Sequence, residues 1–121
     1  MSRILIVDDD QMNLKIAKVI LESNGYRTIT VSSAMECLNK LKSEVVDLVL
    51  LDIEMPIMNG IKAFEYMNEH EEYNGIPVMF LTAEADVETV TEAARLGAAG
   101  YVKKPFLPQD LLERVEQVIN K

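Results

Sequence analysis

The chain has little with which to brace itself covalently or to hold a polyanion. One cysteine, Cys37, in 121 residues excludes an internal disulfide, and no charged start followed by an apolar run marks a secretory leader, so the cytoplasm is the expected location. Uninterrupted apolar stretches stop at about four or five residues, far below the roughly 20 that span a bilayer. Basic residues are scarce too. Lys and Arg total 12 against 20 Asp and Glu, a net charge of -8, which repels a nucleic-acid backbone and an anionic membrane surface alike. Direct nucleic-acid binding and membrane attachment are therefore not expected. Internal repeats, linkers and low-complexity tracts are also missing, so residues 1–121 read as one domain, 49% hydrophobic and 26% charged, able to bury a core unaided.

What is present is a regular alternation of short apolar runs with amphipathic segments, the pattern of βαβ units stacked around a parallel sheet. Ile4 to Val7 reads as the first strand, followed by Asp8-Asp9-Asp10 and a helix with an apolar stripe of Met12, Ile16, Val19 and Ile20, closed by Asn24-Gly25. Arg27 to Val31 is a more polar strand suited to a sheet edge, and Ser33 with Glu36 forms a capping box opening a second helix through about Leu41. Val46 to Asp52 is the third strand. Its run Leu48-Val49-Leu50-Leu51 implies burial on both faces, and the helix after Gly60 is expected to bury Ile61, Phe64 and Met67 before dissolving in Glu69-His70-Glu71-Glu72. Pro77 to Leu81 is a fourth strand stopping at Thr82, and a helix from Asp86 to Leu96 ends at Gly97. Ala98 to Lys103 holds a short fifth strand, and Pro108 starts a last helix whose stripe is Leu111, Leu112, Val115, Val118 and Ile119.

Right-handed crossovers put the carboxyl ends of all the strands on one edge, where open α/β folds place their chemistry. Collected there are Asp8 and Asp9 after the first strand, Asp52 after the third, Thr82 after the fourth and Lys104 after the fifth. Three carboxylates repel one another unless a cation joins them, and oxygen ligands with room for water and phosphate suit Mg²⁺. The divalent ion and one lysine balance three carboxylates, leaving a neutral site built to receive phosphate. Carboxylates form aspartyl phosphates when a metal and a cation hold the phosphoryl oxygens in line. Asp52 is then the nucleophile, Thr82 a hydroxyl donor to one oxygen, Lys104 the partner of another, and Mg²⁺ the bridge from a third to Asp9 and Asp52. Asp10 is read as the cap of the first helix, Cys37 as a small buried hydrophobe, and the methionines as fillers of the core or its margins. His70 is read as solvated, and Lys103 as a charge guarding the edge strand.

VDDD at Val7–Asp10, LDIEMPIMNG at Leu51–Gly60, LTA at Leu81–Ala83 and KKPF at Lys103–Phe106 together resemble the receiver domain of two-component response regulators, including the chemotaxis type, over essentially the whole chain. The resemblance implies a flavodoxin-like (βα)5 fold, with helices on both faces of a five-stranded parallel sheet in the order 2-1-3-4-5, an order already established for this fold. It implies Mg²⁺ held by Asp8, Asp9, Asp52 and the backbone carbonyl of Glu54, with Asp52 as phosphoacceptor rather than as part of a turnover enzyme. Thr82 and Lys104 match the residues that bind the phosphoryl group, with a cis bond before Pro105, and Tyr101 matches the switch aromatic. In the family the threonine moves toward the phosphoryl oxygen and the aromatic turns inward, altering the face made by the fourth helix, fifth strand and fifth helix.

Partners implied by the same resemblance are a sensor histidine kinase or histidine phosphotransfer protein as donor, and a downstream protein or fused output domain as target. Phosphorylation-driven homodimers are common in the family, Glu54 and Glu84 resemble positions that tune dephosphorylation, and a stand-alone receiver or a domain of a longer chain fits equally. Three rivals compete. A phosphatase of the haloacid dehalogenase type would place a second aspartate two positions after the nucleophile, where Glu54 stands. A flavodoxin-like FMN carrier would need a Ser/Thr/Gly-rich phosphate loop in place of Asp8-Asp9-Asp10. A receiver-like interaction module that is never phosphorylated would not need the full set of five side chains.

Overall fold

A computed structural model of the chain describes residues 2–73, 75–83 and 87–120. Five strands, β1 (Arg3–Val7), β2 (Arg27–Val31), β3 (Leu48–Asp52), β4 (Val78–Thr82) and β5 (Gly100–Lys103), alternate with five helices, α1 (Gln11–Glu22), α2 (Ala34–Ser43), α3 (Gly60–Glu69), α4 (Val87–Arg95) and α5 (Pro108–Ile119). All strand pairs are parallel and the sheet order is β2-β1-β3-β4-β5. The strands most apolar in sequence, β1, β3 and β4, take the centre, where helices cover both faces. Polar β2 and short β5 form the edges.

Alternation along each strand sorts the core into two layers. Leu5, Val7, Val49, Leu51, Val78 and Phe80 face α2, α3 and α4, with Cys37, Phe64, Met67 and Tyr73 filling that layer. Ile4, Ile6, Leu48, Leu50, Met79, Leu81 and Val102 face Leu14, Ala17 and Leu21 of α1 and Leu111 and Val115 of α5. Cys37 is fully buried, and burial pushes its thiol up to about 12, so it stays protonated and inert as an apolar side chain.

Several expectations are corrected. The buried stripe of α1 is Leu14, Ala17 and Leu21, with Ile20 at its margin, whereas Met12 is 62% and Val19 57% exposed and Ile16 is exposed as well. Both stripes satisfy helical spacing; the one containing Ala17 wins because a small residue lets the helix axis approach the sheet. Met12 and Met35 are exposed, so they are not core fillers, although Met55, Met67 and Met79 are. In α3 the buried positions are Gly60, Ala63, Phe64 and Met67, with Ile61 only partly covered. A 3₁₀ turn at Glu71–Tyr73 follows α3 and carries Tyr73 into the core. His70 is not simply solvated: its Nδ1 lies 2.7 Å from the Tyr66 carbonyl and its ring stacks on Tyr66 at 3.9 Å. Glu84 and Asp86, expected to tune dephosphorylation and to open α4, lie outside the described residues.

The capping residues act close to expectation. Asp10 accepts from the Met12 N–H at 2.9 Å, and Ser33 accepts from the Glu36 N–H at 3.1 Å. Glu36 reaches back to the N–H and hydroxyl of Ser32. The loop between β3 and α3 holds an unforeseen strain. Met58 N–H donates to the Pro56 carbonyl at 2.8 Å across Ile57, whose φ is +71°, a γ-turn of the rare positive-φ kind centred on a β-branched residue. The Ile57 side chain stands fully in solvent, so its removal costs no packing. Ile57→Gly is expected to stabilise the fold by about 1 kcal/mol, strain relief outweighing the entropy of glycine, read as a higher urea midpoint at unchanged slope.

Candidate functional site

Register builds the site. Val7 is level with Leu51, Asp52 with Leu81, and Thr82 with Lys103, so Asp8, Asp52 and Thr82 emerge side by side at the carboxyl edge of the three central strands. Asp52 continues the side of β3 that holds Leu48 and Leu50 and so points toward the α1/α5 face, the side onto which Asp8 follows Ile4 and Ile6. Lys104, one residue past β5, is fixed by its backbone N–H donating to the Thr82 carbonyl at 2.8 Å, and the Lys104–Pro105 bond is cis, as the resemblance implied. Thr82 falls on the opposite parity, shared with Phe80 and level with the side of β5 that carries Tyr101 and Lys103.

The side chains converge. Lys104 Nζ donates to Asp52 Oδ1 at 2.9 Å and to Asp8 Oδ2 at 3.3 Å, although 52 and 96 residues respectively separate it from these partners. Asp8, Asp52 and Thr82 are all buried, and Asp9 is exposed at the mouth. One carboxylate oxygen each of Asp8, Asp9 and Asp52 lie within 4.8 Å of one another. Asp8 Oδ1 also accepts from the Asp10 N–H at 2.9 Å, and the Glu54 N–H reaches Asp52 Oδ1 at 3.3 Å. Among the described residues, Asp52 Oδ2 is a buried side-chain oxygen without a hydrogen-bond partner.

An orphaned, fully buried carboxylate oxygen costs free energy unless a ligand completes it. Burial pushes the Asp52 carboxyl up to about 7, the hydrogen bond from Lys104 pulling against this and the charge of Asp8 adding to it. Lys104 keeps its proton: burial works against the ammonium, but the hydrogen bond and charge of Asp52, then those of Asp8, raise it above its ordinary value. An all-oxygen donor set carrying an excess of negative charge and one unsatisfied lone-pair site fits a hard divalent cation such as Mg²⁺. The backbone of Glu54 adjoins the set, its side chain lying in solvent. Tyr101 is half-buried at the β5 edge.

Buried aspartates at the carboxyl edge of a 2-1-3-4-5 parallel sheet, with a lysine drawn onto the central one, define a receiver-type site, and sequence comparison agrees: residues 4–116 match the response regulator receiver domain, and the chain belongs to that family. The chain is 35% identical over 121 residues to the response regulator SaeR of Staphylococcus aureus strain USA300, covering all of this chain and 52% of that protein, so it spans about half the length of the curated relatives it matches. Among solved structures it is similar to the Vibrio cholerae chemotaxis protein CheY4, with TM-score 0.91, 30% identity and 98% of each chain covered. A receiver domain protein from Methanospirillum hungatei aligns with TM-score 0.89 and 35% identity over 99% of this chain and 94% of its own. The haloacid dehalogenase and flavodoxin alternatives are thereby displaced. The family is one of phosphoacceptor switches rather than enzymes in the usual sense, and among the described residues no helix is long and apolar enough to cross a membrane.

Proposed function

We propose that the chain accepts a phosphoryl group on Asp52 from a phosphohistidine of a sensor kinase or phosphotransfer protein, in a Mg²⁺-dependent reaction in the cytoplasm. The observation that carries this most directly is the asymmetric Asp52 carboxylate, one oxygen held by Lys104 and the other buried with no hydrogen-bond partner among the described residues. The free oxygen, Oδ2, attacks phosphorus; an O–P bond forms as the N–P bond of the phosphohistidine breaks, and the departing imidazole takes a proton from water. No general base is needed, because a divalent cation held beside Asp52 would offset the burial that raises its carboxyl and keep the nucleophile ionised. Lys104 is placed to pass from Asp52 Oδ1 to a phosphoryl oxygen, and the buried Thr82 stands one strand away to donate its hydroxyl to another. When bound by Asp8, Asp9, Asp52 and the Glu54 carbonyl, Mg²⁺ supplies the positive charge that offsets the phosphoryl oxygens.

A protein donor is supported by what surrounds the pocket. Met12 at the start of α1, Met35 at the start of α2, Ile57 before α3 and Leu107 before α5 are all large, apolar and exposed on this one edge. Such a rim around a polar centre excludes water when covered, as transfer of a labile phosphoryl group requires. Charging the site then acts through Thr82 and Tyr101 on the face made by α4, β5 and α5, which would engage a downstream protein, a fused output domain or a second receiver.

The test is incubation with Mg²⁺ and a small acyl phosphate, followed by intact mass measurement. One phosphoryl group is expected to add per chain, to be lost in mild base, and to be absent when EDTA removes the metal. Catalytic release of phosphate from many ester equivalents would instead indicate a phosphatase. A mass that never changes would favour the unphosphorylated interaction module.

A further inference from the structure

Tyr101 belongs to the layer packed under α2, α3 and α4, yet a charged partner reaches it from the other side of the sheet. Arg114 sits on α5, whose Leu111 and Val115 pack into the opposite layer. Because β5 is an edge strand, the arginine reaches around it: Nη1 donates to the Tyr101 carbonyl at 2.9 Å, and the guanidinium carbon lies 4.8 Å from the centre of the Tyr101 ring. Asp110, one helical turn earlier, fixes the guanidinium by accepting from Nε at 2.9 Å. These side chains line a cleft of about 570 Å³ that also reaches Lys104, so the clamp on the tyrosine and the lysine of the phosphoryl site share one wall.

We propose that Arg114, held by Asp110, is a latch across the β5 edge that keeps Tyr101 at the surface until the phosphoryl site is charged, and so sets how readily the switch moves. This rests on the reading of Tyr101 as the switch aromatic. A cation over the ring favours the outward position only; inward rotation gives up the stacking, while the hydrogen bond to the carbonyl persists in both positions as a fixed pivot. Arg114 is thus a positioning residue for the switch, touching neither Asp52 nor the phosphoryl group. By linkage, whatever weakens the latch raises the resting inward population and the apparent affinity for a phosphoryl mimic by the same factor.

The test uses the full chain labelled with 3-fluorotyrosine, the Tyr101 resonance being assigned by its loss in Tyr101→Phe. Spectra are recorded without ligand and with Mg²⁺ plus beryllofluoride, which mark the two ends of the equilibrium. Arg114→Lys keeps the stem and charge but neither the flat stacking surface nor the fork, and protects against a variant that fails to fold; Arg114→Ala removes everything. Both are expected to move the ligand-free resonance toward the beryllofluoride end and to tighten beryllofluoride binding, about fivefold for Arg114→Ala and less for Arg114→Lys. Asp110→Asn should shift it in the same sense by a smaller amount. If the parent responds to beryllofluoride but the Arg114 variants keep its ligand-free resonance and affinity, losing only urea resistance, the arginine is merely structural and the latch is overturned while the function stands. If the parent binds no beryllofluoride, or Tyr101 does not respond to it, the latch falls together with the reading beneath it.

Discussion

Asp52→Asn is expected to abolish acceptance of a phosphoryl group and, in the same molecule, to make the metal-free fold more stable. The first effect follows from losing the nucleophile: an amide oxygen does not form the acyl phosphate, and Asp8 is engaged by Lys104 and the Asp10 N–H while Asp9 is exposed. The second follows from the proton balance. In the unfolded chain the Asp52 carboxyl titrates near its ordinary 3.8, whereas burial in the folded chain pushes it up to about 7. Between those values the folded state binds more protons, so stability falls as pH rises through the window and stays reduced above it. Lys104, whose ammonium is favoured by the same carboxylate, returns part of this below its own titration. The net expectation is a variant about 2 kcal/mol more stable than the parent at pH 8, with the gap closing near pH 4. Urea unfolding at the two pH values measures it. Mg²⁺ should raise the parent's stability at pH 8 with increasing concentration and raise the variant's less. A variant weaker than the parent at pH 8 would mean that Asp52 is there to hold Lys104 rather than to await a ligand.

Gly60→Ala is expected to be the most damaging single-methyl change in the chain. A Cβ at this position would lie 2.3 Å from the Asp52 carbonyl oxygen and 2.9 Å from its carbonyl carbon, both backbone atoms of the phosphoacceptor itself. Neither can rotate away. The first turn of α3 is also tied to the strand end by the Gly60 N–H donating to the Ile53 carbonyl at 2.9 Å. Relief therefore requires the helix to lift from β3, breaking that bond and loosening Ala63, Phe64 and Met67 from the core. A cost of about 3 kcal/mol is expected, a fall of roughly 10 °C in the unfolding midpoint for a domain of this size. Phosphorylation by acyl phosphate should slow along with it, because the strand that aims Asp52 has moved. Gly25→Ala provides the contrast: among the described residues, no atom beyond its two chain neighbours lies within 4 Å of its Cβ, so only the strain of φ +90° applies.

The sheet and the acidic pocket were legible in the sequence for one physical reason. A strand buried on both faces must be apolar throughout, so a charged or polar residue at its end announces where the sheet stops, and Asp8, Asp52 and Thr82 each do so. Parallel connection then brings those ends together without any knowledge of side-chain packing. Lys104 was legible through its place after β5, although its 2.9 Å contact with Asp52 was not. Harder to read were features decided by contact between elements. Periodicity offered α1 two stripes and could not weigh Ala17 against Met12. The side chain of Tyr73 is buried from a turn with no pattern to announce it. The strain at Ile57 runs against residue preference, and the reach of Arg114 around β5 depends on which strand is the edge and how α5 lies along it. No local signal in the sequence marks either.

Borohydride trapping tests most directly whether Asp52 is the residue that accepts the phosphoryl group. After treatment with Mg²⁺ and acyl phosphate, reduction converts an aspartyl phosphate to homoserine, which peptide mass spectrometry locates. Homoserine at position 52 alone, lost when EDTA is present, is the expected result. Homoserine at position 8 or 9, or a phosphoryl group retained on Thr82 or another hydroxyl through the reduction, would contradict it.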